Sequence, residues 1–215
     1  MLCEVLILDY LSKFRYASRH HVVLALLWHT MMRRGAVRAP DLQDYNSDDQ
    51  CIAVLHRPET DTPLKNQEDG ERIVALSPHM CDLLDDWIDS HRPDVTDEFG
   101  REPLVTTPQG RIHATTVTGI VYNWSRPCII NEPCPLNRDP NECEAACYES
   151  ASKCPESVSS HAVRRGSITH HLQSDVPQKV VSERANVGPK VLDQHYDRRS
   201  ERAKMEQRRR FLRNI

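Results

Sequence analysis

The chain lacks any apolar run long enough to cross a bilayer. Val22 to Trp28 falls far short of the roughly 20 residues that a spanning helix needs. It also lacks a secretory leader, because Met1-Leu2-Cys3-Glu4 opens without a basic region or a small-residue cleavage site. A cytoplasmic protein is the resulting expectation. Net positive charge is absent too: 28 Lys and Arg against 31 Asp and Glu leave −3, which excludes a uniformly basic nucleic-acid binder. Lysine is scarce, 6 of the 28 basic residues, so the positive charge is carried mainly by arginine. No internal repeat is present, which excludes a solenoid or a propeller.

What is present is an ordinary globular composition with uneven charge. Hydrophobic residues make up 39% and charged residues 27%, and 215 residues suffice for one large domain with a real core. Residues 39–102 hold 17 Asp and Glu against 5 Lys and Arg, a balance of −12, whereas residues 199–213 hold 7 against 2, a balance of +5. Such polarity can turn a basic face to DNA while the far side stays acidic. Arginine suits bidentate contacts to phosphate.

Periodicity gives the element order. Leu2 to Phe14 and Arg19 to Met32 have apolar residues at helical spacing, the second as a core helix. Cys51 to Leu55 and Arg72 to Leu76 read as buried strands, forming an antiparallel pair across the polar connection Pro58 to Gly70. Pro78 opens a helix through His91, Pro103 to Thr107 reads as a short strand, and Thr115 to Trp124 returns to helix. Ser160 to Leu172 follows a serine cap, Pro177 to Ala185 and Pro189 to Tyr196 each open on proline, and Arg199 to Leu212 reads as a basic helix. The expected fold class is mainly α with a small antiparallel sheet, an α+β domain.

Four segments carry chemistry. His161 and Arg164 stand at i and i+3 on one predicted helix, so both meet the same face. An arginine fork matches two phosphate oxygens, and a histidine moves protons near neutral pH. Taken alone, the pair is common and reads first as a surface ion pair. Arg33 leaves a strongly apolar helix before Arg34, Gly35 and Pro40, a place either to project a charge into a cleft or to cap the helix end. Lys65 is the one lysine between residues 14 and 152, in the connection between two strands. Tyr196 closes Val191-Leu192-Asp193-Gln194-His195-Tyr196; its phenol becomes a nucleophile only where neighbouring charge or a base favours the phenolate.

The order Thr30-x-x-Arg33, Lys65 in a hairpin, His161-x-x-Arg164 and Tyr196 resembles the catalytic pattern of tyrosine recombinases, the phage integrase family, over residues 19 to 205. Thr30-Met31-Met32-Arg33 stands where the family has Thr-Gly-x-Arg, and Glu71 to Leu76 follows Lys65 as the family's second hairpin strand does. The resemblance implies a tyrosine recombinase catalytic-domain fold and a site-specific recombinase that breaks and rejoins double-stranded DNA through a 3′-phosphotyrosine. Arg33 and Arg164 would hold the phosphate, Lys65 would protonate the leaving 5′-oxygen, His161 would assist proton transfer, and Tyr196 would attack. It implies no cofactor for catalysis, no membrane, and a homotetramer on DNA built from protomers that are monomeric when free. It divides the chain into an N-terminal helix or linker remnant, 1–18, and a catalytic domain, 19–215, with a basic C-terminal helix at 199–215. The family's N-terminal DNA-clamping domain has no counterpart in those first 18 residues, so a fragment, a decayed copy or a minimal enzyme is expected.

Three departures bear on the activity. Met31 replaces the family's glycine, Ala36 its glutamate, and Val187 the histidine or tryptophan nine residues before the tyrosine. Valine cannot hydrogen-bond a phosphate oxygen, so Asn186 or His195 would have to substitute, or the site works with one donor fewer. The alternative is an inactive or weakened DNA-binding protein of the same fold that regulates a recombination site.

Residues 127–155 hold five of the eight cysteines and five prolines without periodicity, as an inserted module that the family's core does not contain. Cys128, Cys134, Cys143, Cys147 and Cys154 are spaced C-x5-C-x8-C-x3-C-x6-C, which differs from a Cys-x-x-Cys knuckle. Four of them are expected to hold a structural zinc or, alternatively, an iron–sulfur cluster, with free thiols and disulfides as the other readings.

Overall fold

The computed structural model describes residues 2–197, 199–209 and 212. Helix α1 (Leu2–Phe14) packs on α2 (Arg19–Thr30), which runs through the core with Val22, Val23, Leu26 and Leu27 almost wholly buried. Ser18 caps α2, its hydroxyl accepting from the His21 N–H. At its far end the Thr30 hydroxyl donates to the Leu26 carbonyl at 2.5 Å and accepts from the Met32 N–H at 3.3 Å. Met31 then takes φ 56°, in the left-handed region, and a short helix α3 (Arg34–Arg38) follows at once. Arg33 is therefore the N-cap of α3 rather than a charge closing α2.

Three strands, β1 (Tyr45–Asn46), β2 (Cys51–Val54) and β3 (Arg72–Ala75), form an antiparallel sheet in the order β1-β2-β3. Ile52 faces Val74 and Val54 faces Arg72, so the inner face carries Ile52, Val54 and Val74. The predicted strand pair is there, with β1 added at one edge. Helix α4 (Pro78–Asp86) continues as a π-helical turn, Trp87–His91, in place of one uninterrupted helix. The expected strand at Pro103 to Thr107 is reduced to β4 (Thr106–Thr107), which pairs with β5 (Gly110–Arg111) in a separate ribbon. Part of the acidic excess of residues 39–102 is internal. Asp41, buried, accepts from Arg101 at 2.7 Å and Arg111 at 2.5 Å, and Asp44 pairs with Arg57 at 2.7 Å.

Helix α5 (Ala114–Trp124) lies against α2, α3 and α6 (Ser160–Gln173), and α7 (Gln178–Ala185), α8 (Pro189–His195) and α9 (Glu201–Arg209) complete the chain. The predicted basic C-terminal helix covers Glu201–Arg209 of this stretch, and most residues beyond it lie outside the described residues. Two apolar clusters result. The larger joins α1 to α5 and the sheet; the smaller joins Met31, Ile168, Leu172, Val181, Ala185, Val187, Leu192 and Tyr196. Among the described residues no helix is long and apolar enough to cross a membrane.

The cysteine-rich segment folds as short 3-10 turns at Pro127–Ile130, Glu144–Ala146 and Ala151–Lys153. Its anchor is Arg126, 2% exposed, whose guanidinium donates to the carbonyls of Asn123, Ala145 and Cys147 and to the Asn123 side chain. The expected ligand set is not assembled. Among the described residues no three Cys, His, Asp or Glu side chains stand together where they could hold an ion, and Cys128, Cys134, Cys143, Cys147 and Cys154 are free thiols. The reason lies in the packing. Cys147 is exposed, while the other four border a cavity of only about 30 Å³ that they share with Pro127, Leu136 and Pro140.

Candidate active site

One cavity of about 690 Å³ is lined by Arg33, Lys65, His161, Arg164 and Tyr196 together. Arg34, Asn66, Arg72, Thr118, Tyr122, Ser159, Ser160 and Asn186 share its walls, and among the described residues no aspartate or glutamate does. The five residues singled out in the sequence, from points spread over 164 positions of chain, thus border one space with an excess of positive charge.

Each is delivered by a different device. Arg33 projects from the tight joint between α2 and α3, half-buried, its side chain with no hydrogen-bond or ion-pair partner among the described residues. Lys65 is exposed on the connection between β2 and β3. That connection is pulled in by Leu64, whose N–H donates to His56 Nδ1 at 2.9 Å and whose side chain is buried. Gly70 makes the packing feasible, since a Cβ there would stand 3.2 Å from two Leu64 carbons.

His161 and Arg164 enter on the first turns of α6, which is capped by the Ser159 hydroxyl accepting from the Ala162 N–H. His161 is exposed and points at the cavity; partial burial and the charges of Arg165, Arg164, Arg33 and Lys65 hold its pKa below the ordinary histidine value. Arg164 is 2% exposed. Its Nη1 donates to the Met31 carbonyl and its Nη2 to the Ala185 carbonyl at 2.7 Å. Burial, with Arg33 and Arg72 nearby, pushes its pKa down to about 10, while the Tyr196 phenol opposes that shift.

Tyr196 is the C-cap of α8 and is 8% exposed, set against Met31, Ile168 and Leu192. Its backbone is fixed on both sides. The N–H donates to the Leu192 carbonyl at 2.9 Å, and Asp197 behind it, buried, pairs with Arg199 at 2.7 Å. Arg199 and Lys204 hold the Asp197 carboxyl below its usual pKa.

Two expected substitutes are resolved differently. Asn186, at the left-handed C-cap of α7, borders the cavity, but its amide is occupied: Nδ2 donates to the Asp69 carbonyl at 2.7 Å and Oδ1 accepts from Asn66. It is a clasp between the Lys65 connection and α7. His195 is exposed and does not line the cavity, and Val187 turns into the smaller apolar cluster. Sequence reasoning missed Arg72, the first residue of β3, which borders the cavity. The signal was its place on the same strand face as buried Val74, where a charged side chain needs a reason.

No family model matches the chain, and no curated protein matches it in sequence. Solved structures match it in fold. XerA recombinase superposes with a TM-score of 0.63 at 14% identity, over 97% of this chain and 61% of that one. The Tn1549 transposon integrase in complex with a circular-intermediate DNA gives 0.65 at 12% identity, over 95% and 62%. XerH site-specific recombinase bound to its difH substrate, in a pre-cleavage complex, gives 0.61 at 15% identity, over 95% and 51%. The chain therefore spans between half and two thirds of the length of each. Its fold is the α+β fold of a tyrosine recombinase catalytic domain.

Proposed function

We propose that this chain cleaves and rejoins duplex DNA through Tyr196. The observation that carries the reading is the single cavity in which Arg33, Lys65, His161, Arg164 and Tyr196 meet with no carboxylate among them. A phosphodiester is the anion such a cavity favours, and its charge rises as the transition state becomes pentacoordinate. The likeness to recombinases whose structures contain DNA supports duplex DNA as the partner.

In this reading the Tyr196 oxygen attacks the scissile phosphorus as the phenol loses its proton. The P–O5′ bond breaks and a 3′-phosphotyrosine remains. Arg33 and Arg164 bind the non-bridging oxygens. Lys65 gives its proton to the departing 5′-oxygen, which leaves as a hydroxyl. His161, whose partial burial and cationic neighbours disfavour the imidazolium, accepts or shares the phenol proton. Attack by a second 5′-hydroxyl reverses the step and joins new strands, so the bond energy is conserved without a nucleotide or a metal. Strand exchange by this chemistry needs four protomers on two duplexes, and residues 19–215 would form the catalytic domain of each, with 127–155 as an insert.

A second reading rests on Val187. With no donor at that position the chain would bind DNA at a recombination site without cutting it, as a regulator. A nicked suicide duplex from a random-sequence pool separates the two. The enzyme gives a covalent protein–DNA band that Tyr196→Phe abolishes; the regulator retards DNA and gives no band.

A further inference from the structure

We propose that Arg72 is a catalytic residue, a fourth cation on the scissile phosphate that does the work Val187 cannot. The inference rests on the strand-cleaving reading of the cavity. Arg72 opens β3 opposite Val54 and shares the inner strand face with Val74, so the fold directs it inward at a register where an apolar residue would be ordinary. Its guanidinium is half-fixed. Nε donates to the Arg184 carbonyl at 3.0 Å and Nη1 to the Gly70 carbonyl at 2.7 Å. Both acceptors are neutral. Among the described residues nothing accepts from Nη2, and Arg72 forms no ion pair. A guanidinium oriented by two carbonyls, with its outer nitrogen uncommitted at a cavity wall, is a prepared anion donor.

The charge balance points the same way. Arg33, Lys65, Arg72 and Arg164 border one cavity that holds no carboxylate among the described residues. Burial and the charges of Arg33 and Arg184 push the Arg72 pKa down to about 10, the same direction and extent as for Arg164. Both guanidiniums stay charged at neutral pH, buried beside other cations. Arg111, by contrast, is neutralised by Asp41 and Asp97, and Arg126 spends Nε, Nη1 and Nη2 on Asn123, Ala145 and Cys147. Among the described residues Arg72 has no carboxylate partner and keeps Nη2 without an acceptor. Val187, 8% exposed, packs with Met31, Ile168 and Tyr196 and offers no donor. Arg72 approaches from the sheet side instead, next to the Lys65 connection.

The test is single-turnover cleavage of the suicide duplex, once its sequence has been selected with the wild type. Wild type, Arg72→Ala, Arg72→Gln and Tyr196→Phe are compared on the natural phosphodiester and on a duplex whose scissile linkage is a neutral methylphosphonate. Arg72→Gln retains an amide donor at the position of Nε, for the Arg184 carbonyl, without the charge, which guards against a variant that merely misfolds. The expected result is a loss of about 100-fold for both Arg72 variants on the phosphodiester. On the methylphosphonate, where no charge needs neutralising, the loss should shrink to within about 3-fold of wild type. Wild-type rates on the phosphodiester, or an equal loss on both linkages, would overturn the proposal and leave Arg72 a structural residue. A wild type that forms no adduct on either linkage refutes the strand-cleaving reading itself and this inference with it.

Discussion

The Arg164 guanidinium donates through Nη1 to the carbonyl of Met31, and Met31 stands at φ 56°. The left-handed turn that ends α2 is what aims this carbonyl at α6, so one strained residue links the helix before Arg33 to the helix that carries Arg164. Tyrosine recombinases commonly have glycine here, where a positive φ costs nothing. This chain has a methionine with no exposed surface, packed against Leu192 and Tyr196 in the smaller cluster.

Met31→Gly should therefore relieve strain and still destabilise the protein. The backbone gain is about 1 kcal/mol and the loss of a buried methionine about 3. A net loss of about 2 kcal/mol in urea unfolding, with an unchanged slope against denaturant, is the expected outcome.

Asn186 ties the Lys65 connection to α7 through Asn66 and the Asp69 carbonyl. Asn186→Gly keeps the left-handed cap at φ 49° and removes only the clasp. Cleavage should fall by roughly tenfold while DNA affinity stays within a factor of about two, since positioning of the general acid is lost and the phosphate contacts are not. Single-turnover rates and gel retardation measure the two separately.

Stability should drop on mild acidification. Burial pushes both His21 and His29 down to about 4, His21 with His79 nearby and His29 with the further charges of Arg184, His171 and His79. His29 Nε2 accepts from the Ser77 N–H at 3.2 Å, which requires the neutral ring. The unfolded chain takes up these protons near pH 6.5 and the folded chain only near 4, so stability is full above 6.5 and is lost as pH falls between the two. A fall in Tm of roughly 5–10 °C from pH 7 to pH 4.5 is expected. His29→Gln should flatten part of that slope.

Cleavage should have its own acid limb. His161 is held below the ordinary histidine pKa by partial burial and four surrounding cations. Its neutral form persists to a lower pH than that of a free histidine, so the acid limb of the rate should be displaced below the one a free histidine would give. His161→Gln should lower the plateau and abolish the decline, which a pH–rate profile reads directly.

Removing Arg126 should release the cysteine-rich segment before it unfolds the domain. Arg126→Ala leaves the carbonyls of Asn123, Ala145 and Cys147 without their donor, at a cost of about 3 kcal/mol. Limited trypsin digestion at the exposed Arg138 and Lys153 should accelerate well ahead of cleavage in α2.

Much of this architecture was legible in the chain. The apolar runs at Cys51 and Arg72 and the helical spacing from Arg19 carry the sheet and the central helix, because burial selects those residues directly. What was not legible depends on direction. Arg34–Arg38 forms a helix of five residues, too short for any periodicity to show, and it turns Arg33 from a helix-ending charge into an N-cap. Cysteine spacing says nothing about where a thiol points. Cys147 faces solvent, and the other four border a small void shared with proline and leucine. Arg72 opens a segment that reads as a buried strand, but which face it takes is set by pairing with Val54, a partner 18 residues away. The order of Arg33, Lys65, His161, Arg164 and Tyr196 could be read; that Asn186 clasps the lysine connection instead of facing a phosphate could not.

The most direct test of the account is to find the DNA on the tyrosine. Wild-type protein is trapped on the suicide duplex, digested with nuclease and trypsin, and the peptide spanning residues 191–198 is sequenced by mass spectrometry. The account predicts a nucleotide mass on Tyr196 that is absent from Arg164→Ala and from unreacted protein. A covalent adduct on any other residue, or retarded DNA with no adduct at all, would contradict it.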